Sequence, residues 1–148
     1  MLLPPSPLLV PAVALLGLAA MAMSCADSGA APTPGAEYGA SFTLGVGDAQ
    51  AVGADGLTLR FEGVAGDSRC PVDVVCVWAG EATVRLRAQA PSQDARTLDV
   101  TVHGTGGSGE GDYAGSYKIT VTKLEPAPVS RQQIQPSAYR ATLVVVKR

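Results

Sequence analysis

The residues of this sequence best placed to do chemistry are three cysteines and a single histidine. Cys70 and Cys76 are separated by five residues, and Pro71 restricts the backbone between them, so this segment is predicted to be a compact loop. In an oxidising compartment the pair is expected to form a structural disulfide, which stabilises a fold by about 2 kcal/mol for so small a ring. Redox-active pairs usually have two intervening residues and a zinc site needs four ligands, so both alternatives are weaker.

Groups that could act in catalysis are sparse. His103 falls on the outward phase of a predicted strand with no residue to orient it, so we interpret it as a surface residue. The acidic pairs Asp67 with Asp73 and Glu110 with Asp112 are interpreted as solvated side chains or turn caps. The second pair alone is too small a ligand set for calcium. We therefore predict no catalytic residue, no metal and no cofactor, and a protein that is not an enzyme.

An alternating strand follows the cysteine loop. From Trp78 to Ala88 the even positions are apolar, Gly80 included, and most odd positions are polar, a period of two that predicts a half-buried strand. On this phase Trp78 is expected to point inward and pack on the disulfide as a core residue. Asp67 and Arg69 are expected to brace the cysteine loop through hydrogen bonds to its backbone.

These residues also carry a resemblance. Residues 67–71 read DSRCP and residues 76–80 read CVWAG, and together they resemble a motif, DSRCP-x4-C-x-WAG, of uncharacterised bacterial secreted proteins and lipoproteins. The motif covers fourteen residues, with looser similarity across the rest of the chain. The resemblance implies a bacterial envelope setting and a small β-domain, and it implies no activity.

The N-terminal segment predicts export. Residues 1–24 contain no charged side chain, and their apolar core is too short to span a bilayer permanently, which is typical of a signal peptide. Ala22, Met23 and Ser24 before Cys25 resemble a lipobox, and lipidation of Cys25 would account for the unpaired third cysteine. Ordinary signal peptidase cleavage, giving a secreted or periplasmic protein, is the alternative. Residues 25–37 are predicted to be the lipidated cysteine and a flexible linker.

Residues 38–148 are predicted to form one all-β domain. Short alternating segments between Gly/Pro turns predict six or seven strands in an antiparallel β-sandwich, immunoglobulin-like in architecture, with a partly open barrel as the alternative. The glycine-rich tract 104–111 is predicted to be a mobile hairpin loop, and the proline-containing connection 125–138 to cross between sheets. The predicted core comprises Phe42, Leu44, Leu57, Leu59, Phe61, Trp78, Val84, Leu86, Leu98, Val100, Val102, Ile119, Val121 and Leu143.

Charge and composition narrow the function. Eleven basic residues are spread along the chain against thirteen acidic ones, so nucleic acid is not expected as a partner. The sequence predicts a membrane-anchored envelope lipoprotein, in the outer membrane if the host is Gram-negative, with a non-enzymatic β-domain. Its expected partners are the membrane, through the lipid, and an envelope protein or small ligand. The alternative is a protease-inhibitor-like module that presents loops 104–115 and 125–138.

Overall fold

A computed structural model describes residues 35–148, so the predicted signal peptide, Cys25 and most of the linker lie outside the described residues. The described part contains eight strands, where six or seven were predicted, and one short 3₁₀ turn at Pro136–Ala138. No helix in this part is long and apolar enough to cross a bilayer. The strands are β1 (Ser41–Gly45), β2 (Ala49–Val52), β3 (Leu57–Asp67), β4 (Glu81–Gln89), β5 (Arg96–His103), β6 (Gly109–Tyr113), β7 (Tyr117–Glu125) and β8 (Arg140–Lys147).

The strands form two four-stranded antiparallel sheets, in the orders β1-β8-β7-β6 and β2-β3-β4-β5. The predicted antiparallel β-sandwich is confirmed. The chain passes from one sheet to the other after β1 and after β5, and elsewhere each strand pairs with the strand before it, as in a meander. The last strand, β8, lies between β1 and β7 in the interior of its sheet, which explains why both of its faces are largely apolar.

The core lies between the two sheets. All but three of the predicted core residues are buried, and Phe42 and Leu98 are half-buried. Trp78 is the large exception, because 82% of its surface is exposed. The prediction that Trp78 packs in the core is wrong because β4 begins at Glu81, so the tryptophan still belongs to the loop and the alternation before Glu81 does not correspond to a strand.

We predicted that the glycine-rich tract 104–111 is a mobile hairpin loop, but part of it belongs to a strand. Gly109 is the first residue of β6, which packs against β5 where the chain turns from one sheet to the other. A Cβ atom on Gly109 would lie 2.1 Å from the carbonyl oxygen of Thr101, and one on Gly107 would lie 1.6 Å from that of His103. These glycines are therefore needed for close backbone approach at a corner of the sandwich.

The connection 125–138 does not cross between sheets, which corrects a second prediction. It joins β7 to β8, which are neighbours in the same sheet, and it is therefore a long hairpin connection. The connection folds over the end of the sandwich, where the carbonyl of Pro128 accepts a hydrogen bond from the backbone N–H of Val72 over 3.0 Å.

The sandwich has two distinct ends. At the base, Tyr117 donates a hydrogen bond to Asp55 over 2.8 Å, and Ala36, near the first described residue, forms a bridge with Val52. At the loop end, Tyr139 donates to Asp67 over 3.0 Å. Strand β3 runs from the base to the loop end, and its eleven residues span about 33 Å. Three segments meet at the loop end, namely residues 68–80, 104–108 and 126–139.

Candidate functional site

The segment 68–80 at the loop end is a covalently closed projection, which we call the disulfide loop. Cys70 and Cys76 are bonded through their sulfurs, with their Cα atoms 5.9 Å apart, so the predicted disulfide is confirmed. The loop connects β3 to β4 at this end of the sandwich. A ring this small restricts the unfolded chain and contributes about 2 kcal/mol to stability.

The disulfide loop carries a cluster of exposed apolar side chains. Within residues 35–148, six large hydrophobic side chains are exposed, and five of them lie in this loop. Val75 is fully exposed, and Val77 and Trp78 are 91% and 82% exposed. The five are Val72, Val74, Val75, Val77 and Trp78. Soluble domains rarely concentrate apolar surface in one place unless it contacts a partner or a membrane, so this cluster is the candidate binding surface.

Hydrogen bonds hold the two arms of the disulfide loop together where they leave strands β3 and β4. Ser68 donates its backbone N–H to the carbonyl of Glu81 over 2.8 Å, and Cys70 donates to the carbonyl of Ala79 over 2.9 Å. The hydroxyl of Thr105, from the neighbouring turn, donates to the Cys70 carbonyl over 2.7 Å. The loop is therefore fixed as a continuation of the β3–β4 hairpin rather than left free in solvent.

The connection 125–138 supports the loop from the other side. Asp73, inside the disulfide ring, accepts hydrogen bonds from the backbone N–H of Ser130, over 2.7 Å, and from its hydroxyl. These bonds hold the pKa of Asp73 below its usual value. Asp73 thus caps a turn of the connection, which is one of the roles that the sequence predicted for it.

A buried ion pair lies beneath the loop. Arg69 is 3% exposed, and its guanidinium donates to Asp67 at two points, Nε to Oδ1 over 2.9 Å and Nη2 to Oδ2 over 2.7 Å. The same guanidinium donates to the carbonyls of Leu124 and Pro126 over 2.8 and 2.9 Å. The expectation that this pair braces the loop through the loop's own backbone is therefore only partly right. The Arg69 side chain instead ties the loop to the end of β7.

Tyr139 completes this ion pair. Its hydroxyl donates to Oδ2 of Asp67, so the carboxylate accepts hydrogen bonds at both oxygens. Burial alone would raise the pKa of Asp67, but the bonds from Arg69 and Tyr139 hold the pKa below its usual value. Burial, and then the bond to Asp67, raise the pKa of Tyr139 to about 12.

A cavity of about 300 Å³ opens beside the ion pair. Tyr139 lines one part of it, and Gln132 and Gln133 of the connection 125–138 line another. Its one charged lining group is Asp67. The acceptor positions of that carboxylate are already occupied by Arg69 and Tyr139, so it has little capacity left for a ligand. We therefore assign the ion pair to holding the loop end together.

The raised pKa of Tyr139 predicts a pH dependence of stability. The folded protein favours the neutral phenol of Tyr139. The resulting contribution to the free energy of unfolding is therefore complete below about pH 10, the pKa of tyrosine in the unfolded chain, and is lost as the pH rises toward about 12, its pKa in the folded protein. When the pH is raised from about 8 to about 11, we expect the free energy of unfolding to fall less for Tyr139→Phe than for the wild type. Urea unfolding at both pH values measures this difference, and equal losses for the two proteins would contradict it.

The residues considered for catalysis are not brought together. The His103 side chain is 73% exposed, and its nearest acidic atom, on Glu81, is 3.8 Å away. Glu110 pairs with Lys118, and Asp112 pairs with Arg148. Within residues 35–148, no three His, Cys, Asp or Glu side chains are grouped so that they could hold a metal ion.

The motif residues of the sequence do converge on the loop end. Cys70, Cys76 and half-buried Pro71 form the closed ring, Asp67 and Arg69 lie beneath it, and Gly80 and Trp78 lie on its returning arm. Sequence reasoning missed the exposed valines. The signal was present, because the valines at 72, 74, 75 and 77 together fit no period-two strand, follow a proline and are interrupted by aspartate and cysteine. The support from Ser130 and Tyr139 had no local signal.

Comparison with known proteins adds no relative: no protein-family model, curated protein or solved structure gives a significant match to this chain.

Proposed function

We propose that this chain is an exported envelope lipoprotein, anchored through Cys25, whose β-domain binds a protein partner through the disulfide loop and catalyses no reaction. The observation that carries the proposal is the cluster of five exposed apolar side chains on one braced loop. The anchor is supported by the sequence that precedes Cys25 and by the need to account for a cysteine outside the disulfide.

The rigidity of the disulfide loop favours binding. A loop that is already fixed by a disulfide and by hydrogen bonds from Thr105 and Ser130 loses little conformational entropy when it binds. Tryptophan is among the residues that contribute most to protein interfaces, and here Trp78 is exposed beside Val77 and Val75. An apolar tip of this kind fits a partner with a concave apolar pocket.

The position of the loop favours a protein over the anchoring bilayer as partner. Ala36 lies at the base of the sandwich, and strand β3 places the disulfide loop about 33 Å further away. The ten residues that follow Cys25, residues 26–35, reach at most about 35 Å when fully extended. The linker would therefore have to be almost fully extended along the sandwich for the disulfide loop to reach the anchoring bilayer, which favours a protein as its partner.

Crosslinking in the native envelope tests the proposal. The tagged wild-type protein is expected to capture a specific protein, and the double variant Val75→Ser, Trp78→Ser is expected to lose that capture. Because both side chains are exposed, the free energy of unfolding should change by no more than about 0.5 kcal/mol. Val146→Ser is the matched control, because Val146 is 46% exposed but lies near the end of β8 at the base.

The same samples test the anchor. Mass spectrometry should find lipid on Cys25 of the membrane fraction, and Cys25→Ser should release the protein from that fraction while a purified sample still binds the captured partner. Undiminished capture by the double variant would overturn the role of the loop, and an unmodified Cys25 in a soluble wild-type protein would overturn the anchor. A captured protease that the protein inhibits would identify the partner class of the inhibitor-like alternative.

A further inference from the structure

The outward face of the sheet β2-β3-β4-β5 brings two arginines together. Arg60 on β3 and Arg87 on β4 are directly opposite each other in the antiparallel register, and both are exposed. Side chains at such positions project from the same face with their Cβ atoms about 5 Å apart. Two arginine side chains thus project side by side from a strand pair.

Within residues 35–148, no acidic side chain forms an ion pair with either arginine. Neither arginine forms an ion pair or side-chain hydrogen bond with another of the residues that the structure describes. Among the acids on the same face, Asp99 accepts two hydrogen bonds from Arg85, and Glu62 accepts one from Thr97 but forms no ion pair with Arg60 or Arg87. Like charges directly opposite each other destabilise a sheet. Their positions therefore favour a ligand that brings negative charge.

The space around the two arginines is shaped for such a ligand. A depression of about 210 Å³ is lined by Ala49, Thr58, Arg60, Arg87 and Gln89. The Thr58 hydroxyl and the Gln89 amide add neutral hydrogen-bond donors to the two guanidinium groups, and no carboxylate lines the depression.

We propose that this depression binds a phosphate monoester or inorganic phosphate through Arg60 and Arg87. Each guanidinium can donate two parallel N–H bonds, so a pair can use more oxygens than the two of a carboxylate. A phosphate dianion has at least three acceptor oxygens and two negative charges, which match both arginines. The site lies on a sheet face, whereas the disulfide loop lies at the loop end, so this inference is independent of the proposed binding function.

Thermal unfolding of the purified chain with inorganic phosphate tests the site. At a pH of about 7.5, where the dianion dominates, phosphate should raise the Tm of the wild type above its value in sodium chloride of equal ionic strength. Arg60→Gln and Arg87→Gln should each weaken phosphate binding by about tenfold or more, as measured by calorimetry. Arg140→Gln, which removes one exposed positive charge from the other sheet, is the control and should respond as the wild type does.

Without phosphate, the effect of the substitutions on stability should have the opposite sign. Removing one arginine relieves the repulsion, so Arg87→Gln should be at least as stable as the wild type in sodium chloride. A phosphate response that is absent in the wild type, or that is equal in the wild type and Arg87→Gln, would overturn the site. Vesicles containing phosphatidic acid then distinguish the ligand sources: competition with phosphate identifies a lipid headgroup, and the absence of competition identifies a free phosphate compound.

Discussion

Replacing Arg69 with alanine is expected to lower the free energy of unfolding by about 3–5 kcal/mol, because it removes one partner of a buried ion pair and leaves the other without its counter-charge. The side chains of Arg69 and Asp67 are 1% and 10% exposed. The substitution also leaves the carbonyls of Leu124 and Pro126 without their donor. Domains of this size are stable by only about 5–15 kcal/mol, so the loss is a large fraction of the total. Urea unfolding followed by fluorescence and circular dichroism measures it.

The exposed pair of Arg85 and Asp99 provides a matched control. Its chemistry is the same, with Nε and Nη2 donating to the two carboxylate oxygens over 2.8 and 2.9 Å, but its side chains are 46% and 47% exposed. Arg85→Ala should therefore lower the free energy of unfolding far less than Arg69→Ala does, because solvent screens an exposed ion pair. If the two alanine variants were equally stable, burial of the Arg69 pair would not be what makes it important, and our account of the loop end would be wrong.

The ion pair matters for function because of what it connects. Arg69 is the residue before Cys70, and its side chain reaches the carbonyls that end β7 and begin the connection 125–138. The connection in turn donates a hydrogen bond from Ser130 to Asp73, which is part of the disulfide ring. Loss of the ion pair should therefore loosen both supports of the apolar cluster. A fixed loop end is what the proposed binding function needs.

Within the strands, the sequence pattern predicted the structure well. Eleven of the fourteen predicted core residues are buried, all of them on strands, and a register shift between Val121 and Lys123 in β7 lets Leu124 be buried as well. Both follow from the same cause. A strand with one face on the core must alternate, so a break in the alternation marks a bulge or an end.

The pattern failed where the chain leaves the sheet. Trp78 fits the alternating phase of β4 by coincidence of spacing, yet Gly80 has a φ of 69° and separates it from the strand. Periodicity reports burial only where the backbone is extended. The long-range contacts of the candidate site were also beyond prediction, because Arg69 lies 55 residues from Leu124 and Tyr139 lies 72 residues from Asp67. Nothing local in the sequence specifies such pairs.

Replacing Gly80 with alanine is expected to cost about 3 kcal/mol or more, although it adds only one methyl group. Its φ of 69° is a left-handed conformation that costs a residue with a side chain about 1–2 kcal/mol. A Cβ atom there would also lie 1.9 Å from the carbonyl oxygen of Ser68, so the two arms of the disulfide loop would have to separate by about 1 Å. This separation would weaken the bonds from Ser68 to Glu81 and from Cys70 to Ala79.

Gly115→Ala separates the two causes. Gly115 also has a φ of 69°, but a Cβ atom there would meet nothing within 4 Å, so this variant should lose only about 1–2 kcal/mol. Hydrogen exchange adds a local measurement, since the amides of Ser68 and Cys70 should lose protection in Gly80→Ala and keep it in Gly115→Ala. Equal losses of stability with unchanged protection at both amides would mean that the close approach of Gly80 to Ser68 does not hold the disulfide loop in place.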